Sequence, residues 1–304
     1  MDFLYLLEKI RNPVFDTFFS LVTHLGEETV FLAAALIVFW CVNKREGYFL
    51  LITGLVGTVI NQALKLICKI PRPWVKDPSF TIVESARAEA TGYSFPSGHT
   101  QNVTTTFGVI GKCSKRTPVR IISLVVIVLV AFSRMYLGVH TPADVVVSLA
   151  IGAALVIFMH PLFRDQGKFE RAMPYIIAAS VLISVGLVIY VILMPTEGMD
   201  PHNVLSGREN AATILGCTLA FFPVYYVDKK FIRFDTSAKW YAQLLKLAFG
   251  LGLVLLIKEG LKAPLGALIG NGYVARAIRY FVVVMFAGTV WPITFKFFGK
   301  LGQK

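Results

Sequence analysis

Three short stretches hold the residues whose types and spacing could do chemistry. The most informative is Ser133–Asp144, S-R-M-Y-L-G-V-H-T-P-A-D, in which His140 and Asp144 lie four apart. On a helical turn a carboxylate at that spacing reaches back to one imidazole nitrogen and leaves the other free as a nucleophile or base. Taken alone, the stretch reads equally well as a helix start with a passing histidine. Thr141 suits the N-cap, Pro142 the first helical position, and Asp144 the first turn, where acid is favoured.

The second stretch is L-K-L-I-C-K-I-P-R-P-W, with Lys65 and Arg72 seven apart. Pro71 and Pro73 must end a helix there and swing Arg72 into a loop. On its own the pair is what any membrane protein carries, a snorkelling lysine and a headgroup arginine. The third is Y-S-F-P-S-G-H-T, a turn running into a helix near His99. A helix N-terminus offers unpaired N–H groups to an anion, and Gly98 has no side chain to hold a ligand off. Together the stretches supply two histidines, one carboxylate, Lys65, Arg72, Arg134 and two helix starts. That inventory suits an anion with three or more oxygens: the cations neutralise it, backbone N–H groups cradle it, one histidine attacks and another protonates the leaving oxygen. A metal centre would want several acids or His/Cys pairs together. The one acid close by in sequence is Asp144, so no metal site is expected.

The elements that must position these residues are membrane helices. The chain has 304 residues, of which 56% are hydrophobic and 16% charged, against roughly 25% charged in a soluble domain. The mean hydropathy is +0.66. These values predict an all-α, polytopic helical bundle. About nine spans can be drawn, at 28–42, 47–69, 99–113, 118–137, 142–163, 173–194, 209–228, 240–258 and 276–298. Residues 13–26 are amphipathic and form either an interfacial helix or the first part of a bent span. A crossing takes about 20 residues, so the first and third segments are short. The third is also polar (H-T-Q-N-V-T-T-T) and must face protein or a water-filled cavity rather than lipid.

The net charge of +12 follows from short basic loops and does not call for nucleic acid. One set of connections holds Lys44 and Arg45; Lys112, Lys115, Arg116 and Arg120; Arg164, Lys168 and Arg171; Lys229, Lys230, Arg233 and Lys239; and Lys296, Lys300 and Lys304. These fall at alternate connections, as expected of a cytoplasmic face. The opposite set, 70–98, 138–141, 195–208 and 259–275, should be outside, with the N-terminus outside and the C-terminus inside, and each of the three stretches falls at or near that face. The four cysteines, Cys41, Cys68, Cys113 and Cys217, show no metal or disulfide spacing. Residues 1–12 carry Asp2, Glu8, Lys9 and Arg11 and do not read as a cleavable signal peptide.

The three stretches resemble, in order, the signature motifs of the type 2 phosphatidic acid phosphatase superfamily: K-x6-R-P, P-S-G-H and S-R-x5-H-x3-D. Every fixed position from Lys65 to Asp144 is filled. The resemblance implies metal-independent hydrolysis of a phosphate ester or diphosphate through a phosphohistidine, with no cofactor. It implies His140 as nucleophile, Asp144 as the group that orients it, and His99 as general acid and then base. Lys65, Arg72 and Arg134, with Ser97 and the Gly98 N–H, would hold the phosphoryl oxygens; Ser133 has no assigned role beyond local hydrogen bonding. Residues 1–165 would then form the phosphatase core, with six helices in the family's compact form. Residues 166–304 would add further membrane helices, a layout similar to glucose-6-phosphatases and the longer sphingosine-1-phosphate phosphatases.

The expected function is an integral membrane lipid phosphate phosphatase, with membrane lipids and a lipid phosphate substrate as partners. A bacterial inner or plasma membrane, with the site on the extracytoplasmic face, is the expected location. A phosphotransferase using the same intermediate, a transporter or scaffold retaining the motifs, and a soluble phosphate ester as substrate are the alternatives, and a homo-oligomer is left open. The aromatic, charged loop Trp74–Phe95 reads either as a lid for a lipid tail or as an ordinary interfacial loop. Glu197, Asp200, His202, Arg208 and Glu209, and Glu259, Lys262, Arg276 and Arg279, are expected to pair with one another or to shape an entrance.

Overall fold

The computed structural model describes residues 1–301, in which the regular structure is helical with no strand. Lys304 of the basic C-terminal set lies outside the described residues. In order the main helices are α1 (Asp2–Lys9), α2 (Pro13–Thr23), α3 (Glu28–Ile37), α4 (Lys44–Cys68), α5 (Pro73–Lys76), α6 (Gly98–Cys113) and α7 (Thr117–Tyr136). They continue with α8 (Pro142–Arg164), α9 (Gln166–Leu193), α10 (Pro201–Val227), α11 (Trp240–Gly260), α12 (Lys262–Ile269) and α13 (Gly272–Met285).

Seven helices are long and apolar enough to cross a membrane, or eight if the pair 13–26 and 28–42, bent by 50°, is one span. Two of the nine expected segments are not among these seven. Segment 28–42 is not a separate crossing by length and apolarity; it joins the amphipathic stretch before it at a break. Segment 99–113 is α6, whose 16 residues rise only about 24 Å, short of a hydrocarbon core of about 30 Å.

The chain forms two compact units. The first comprises Met1–Ala34, Phe49–Arg164 and Pro195–Gly207, the second Ala35–Tyr48, Asp165–Met194 and the described residues from Arg208 onward. In the first unit α6 is the central helix, packed most extensively against α7 and α8. Its polar residues are buried: Thr100, Gln101, Thr104, Thr105 and Thr106 are almost wholly excluded from solvent. They tolerate this because each finds a partner. Thr104, Thr105 and Thr106 donate to the carbonyls of Thr100, Gln101 and Asn102 at 2.6, 3.0 and 2.7 Å. Asn61 of α4 donates to Gln101 at 3.0 Å, and Gln101 donates to the Gly57 carbonyl at 2.5 Å. With its hydroxyls and amides satisfied, a polar helix can sit inside an apolar bundle.

The loop 74–95 is packed down. Phe80, Ile82 and Leu4 share one apolar cluster, and Ala86 and Ala90 share another with Tyr136, Leu137 and Val139. In the second unit a buried lysine, Lys246, donates to the Trp40 carbonyl at 2.7 Å and lies 4.4 Å from the centre of the Phe295 ring. Of the C-terminal charges, Glu209 and Arg276 pair at 2.9 Å.

Candidate active site

Five helix ends meet in the first unit. α4 stops at Cys68, where Lys69 takes a left-handed conformation (φ 51°). The chain then runs through Pro71 to Arg72, the N-cap of α5, with its side chain aimed inward and 6% exposed. α6 starts after Ser97, whose hydroxyl accepts from the Thr100 hydroxyl at 2.9 Å and from its N–H at 3.4 Å. α7 closes with the Leu137 N–H on the Ser133 carbonyl, and the Val139 and His140 N–H groups both return to the Arg134 carbonyl at 3.2 Å. The turn depends on Gly138, at φ 82°, a conformation that costs a residue with a side chain about 1–2 kcal/mol. α8 then begins, with Asp144 in its first turn.

His140 lies between two charges. Its Nδ1 is 3.4 Å from Asp144 Oδ2, and both side chains are 2% exposed. Its Nε2 is 3.0 Å from Arg72 Nη1. A guanidinium can only donate, so Nε2 must be the accepting nitrogen and the ring proton belongs on Nδ1, facing Asp144. Burial, with Arg72, Arg134 and Lys65 close by, holds the imidazole well below its ordinary pKa of 6.5, against a weaker opposing effect of a hydrogen bond to the Ser94 backbone. His140 is therefore neutral at pH 7, with a lone pair on the nitrogen beside Arg72.

The supporting contacts lock this arrangement. Asp144 Oδ2 accepts from the Ser94 hydroxyl at 2.6 Å and from the Thr141 N–H at 2.8 Å. The Ser97 N–H donates to the Asp144 carbonyl at 3.2 Å, tying the second motif to the third. Arg72 donates to the carbonyls of Thr91, Gly92 and Val139 at 2.7, 3.1 and 3.0 Å. Lys65 donates to the Tyr93 carbonyl at 2.5 Å. Arg134, fully buried, uses Nη1 on the Thr23 hydroxyl at 2.6 Å, while its Nε and Nη2 have no partner. His99 Nε2 is also buried without a partner. Arg134, His140, Arg72 and Lys65 all lie within electrostatic reach of His99. A side chain at Gly98 would meet nothing nearer than Asn61 Oδ1 at 4.0 Å, so space is open beside the first turn of α6.

Eight of the residues singled out from the three motifs thus come together in one cluster: Lys65, Arg72, Ser97, Gly98, His99, Arg134, His140 and Asp144. Ser133 does not join it; its hydroxyl turns back to the Val130 carbonyl at 2.7 Å. Sequence reasoning missed Thr23 and Ser94, which hold Arg134 and Asp144, and the carbonyls of residues 91–93, which orient Arg72 and Lys65. Ser94 stood next to a motif; nothing in the sequence marked Thr23. The pocket holds three buried cations, Lys65, Arg72 and Arg134, and one carboxylate, Asp144. A net buried charge of two is costly unless something neutralises it. A phosphate group carries about that charge of opposite sign. No group of three or more His, Cys, Asp or Glu residues that could hold a metal occurs among the described residues.

Comparison with known proteins gives the same direction. Residues 45–168 match the PAP2 superfamily, and residues 210–304 match the transmembrane extension of PAP2 superfamily phosphatases. Phosphatidylglycerophosphatase B of Bacillus subtilis is 31% identical over 175 residues, 53% of this chain and 81% of that protein. Undecaprenyl-diphosphatase BcrC of the same organism is 30% identical over 161 residues, 51% of this chain and 78% of that protein. A probable sphingosine-1-phosphate phosphatase of Dictyostelium discoideum is 28% identical over 164 residues; the match covers 50% of this chain and 39% of that protein. No solved structure matches. With both family segments matched and two bacterial phosphatases aligned over most of their length, this integral membrane protein belongs to the PAP2 superfamily.

Proposed function

We propose that the chain hydrolyses the phosphate monoester or diphosphate of a membrane lipid, without a metal, through a phosphohistidine on His140. The observation that carries this reading is the 3.0 Å contact between His140 Nε2 and Arg72 Nη1, which sets a neutral nitrogen lone pair against a phosphate-binding guanidinium. A substrate phosphoryl group entering the pocket takes over the Arg72 donor and meets Arg134 Nε and Nη2, Lys65 and the N–H groups at the start of α6. Nε2 attacks phosphorus as the bond to the lipid oxygen breaks, and His99 protonates that oxygen. Asp144 stabilises the cationic ring that results. Water, deprotonated by His99, then displaces the histidine and releases phosphate.

The chemistry is assigned to residues 1–165 and to the extracytoplasmic side, on the alternation of basic loops in the sequence. The test is phosphate release by purified protein in detergent with EDTA, against phosphatidic acid, phosphatidylglycerol phosphate, a polyprenyl diphosphate and a sphingoid-base phosphate. Wild type and Lys262→Ala should release phosphate from at least one, and His140→Ala from none. Equal release by wild type and His140→Ala would refute the assignment. A labelled phosphoryl group retained on wild type, without release to water, would point instead to transfer to another acceptor.

A further inference from the structure

The second compact unit contains a cavity of about 500 Å³ that the chemistry above does not use, within the size range of ligand pockets. It is built from the N-terminal ends of α4 and α9 and from the turn Asp228–Ile232 that closes α10. Its floor is aromatic: the Tyr48, Phe169 and Tyr225 rings lie with centroids 5.9 Å apart in each pair. The Tyr225 hydroxyl is buried there and makes no hydrogen bond of ordinary geometry.

Four cations and two carboxylates line this cavity, and the carboxylates are already engaged. Asp228 takes Lys44 at 2.9 Å on one oxygen and the Tyr48 hydroxyl at 3.3 Å on the other. Glu170 takes Lys229 on one oxygen and Gln166 on the other, both at 2.7 Å. The arginines are engaged only in part. Arg45 makes one long side-chain bond, at 3.4 Å to Gln166, and Arg233 uses only its Nε, at 3.1 Å on the Lys229 carbonyl. Two guanidinium groups thus keep donors free beside an aromatic cluster and two helix N-termini, while each carboxylate oxygen already accepts a hydrogen bond.

We propose that this cavity binds a phosphate-bearing anion, the phosphodiester headgroup of an anionic phospholipid or free phosphate, through Arg45 and Arg233. Basic pockets among helix ends at a membrane surface suit such headgroups, and a guanidinium fork matches two phosphate oxygens.

The experiment uses the full chain in detergent and reads the thermal midpoint during titration with phosphatidylglycerol, phosphatidylcholine or inorganic phosphate. Phosphatidylglycerol, a diester, should raise the midpoint of wild type, and phosphatidylcholine should not. In Arg45→Gln/Arg233→Gln the half-saturating fraction of phosphatidylglycerol should rise about tenfold. A control pair of basic residues outside the cavity, Lys115→Gln/Arg116→Gln, should leave it within twofold. Arg45→Lys/Arg233→Lys, which keeps the charge but loses the forks, should fall between. If millimolar inorganic phosphate reproduces the effect of the lipid and the Gln pair abolishes it, the anion site stands with a soluble ligand. Equal shifts in the cavity and control pairs, or no shift in either, would overturn the proposal.

Discussion

Replacing Asp144 by Asn changes charge and almost nothing else. All three polar contacts of the carboxylate, the Ser94 hydroxyl at 2.6 Å, the Thr141 N–H at 2.8 Å and His140 Nδ1 at 3.4 Å, fall on the single oxygen Oδ2. An asparagine that places its carbonyl oxygen there keeps each of them as an acceptor, and the tautomer of His140 with them. On the mechanism proposed above, what disappears is the negative charge opposite a ring that becomes cationic as Nε2 bonds to phosphorus. At 3.4 Å and an effective dielectric of about 20, that charge contributes about 5 kcal/mol. The amide dipole retains part of it, so the loss should be about 3–5 kcal/mol, or two to four decades in kcat. Phosphate binding should move the other way, because the pocket's buried charge rises by one unit. The assay is steady-state phosphate release, paired with inhibition by inorganic phosphate. Asp144→Asn should show kcat reduced at least about a hundredfold together with an unchanged or lower inhibition constant. A variant that keeps more than a tenth of kcat, or that loses rate wholly through weaker binding, would refute this account of Asp144.

Three further outcomes follow from the same geometry. Gly98→Ala adds a methyl that meets no protein atom closer than 4.0 Å, so the thermal midpoint should hold while KM rises about tenfold as the methyl enters the phosphate space; a fall in stability instead would mean that the space is filled by protein. Gly138→Ala combines φ 82° with a Cβ placed 2.7 Å from Arg11 Nη2 and 3.0 Å from the Phe80 ring, which should cost about 2 kcal/mol and lower the midpoint by about 4–8 °C; an unchanged midpoint would contradict the turn. His140, neutral when folded and of ordinary pKa when unfolded, binds more protons in the unfolded state, so its contribution to stability is complete above about pH 6.5 and is lost as the pH falls below it. The stability of wild type relative to His140→Asn should therefore shrink by up to about 1.4 kcal/mol per pH unit between pH 6 and 5, read from midpoints in detergent, and parallel curves for the two proteins would exclude a depressed pKa.

The residues of the site were legible because their types are expensive to bury and their spacings are fixed. Lys65, Arg72, Arg134 and the two histidines sit at or next to helix ends, where proline and glycine mark the breaks. The buried polar helix α6 was legible for a related reason: a run of threonines and amides inside an apolar sequence has to face protein. The groups that hold the site were not legible. Thr23 meets Arg134 across 111 positions of sequence, and the carbonyls at 91–93 carry no side-chain signal at all. Only the closure of the loop onto Tyr136, Leu137 and Val139 brings them in. Two of the nine expected segments fall short of a full-length straight crossing because apolar runs report where lipid-compatible residues lie, not whether a helix bends by 50° or stops at 16 residues. The pairing expected among C-terminal charges is realised between Glu209 and Arg276.

The shortness of α6 bears on how a substrate is met. Its last turn carries Lys112, and a lysine at that end anchors at one headgroup layer. From there a rise of about 24 Å brings the opposite end, with Ser97, Gly98 and His99, to a depth about 6 Å below the far hydrocarbon boundary. On the function proposed above, the phosphate cradle would then open beneath the headgroup plane, not above it. A lipid already carries its phosphate near that plane and has only to sink by the length of a few bonds, drawn by the buried cations. A water-soluble ester would have to leave bulk water to make the same contacts, so depth by itself selects for substrates that arrive from within the bilayer.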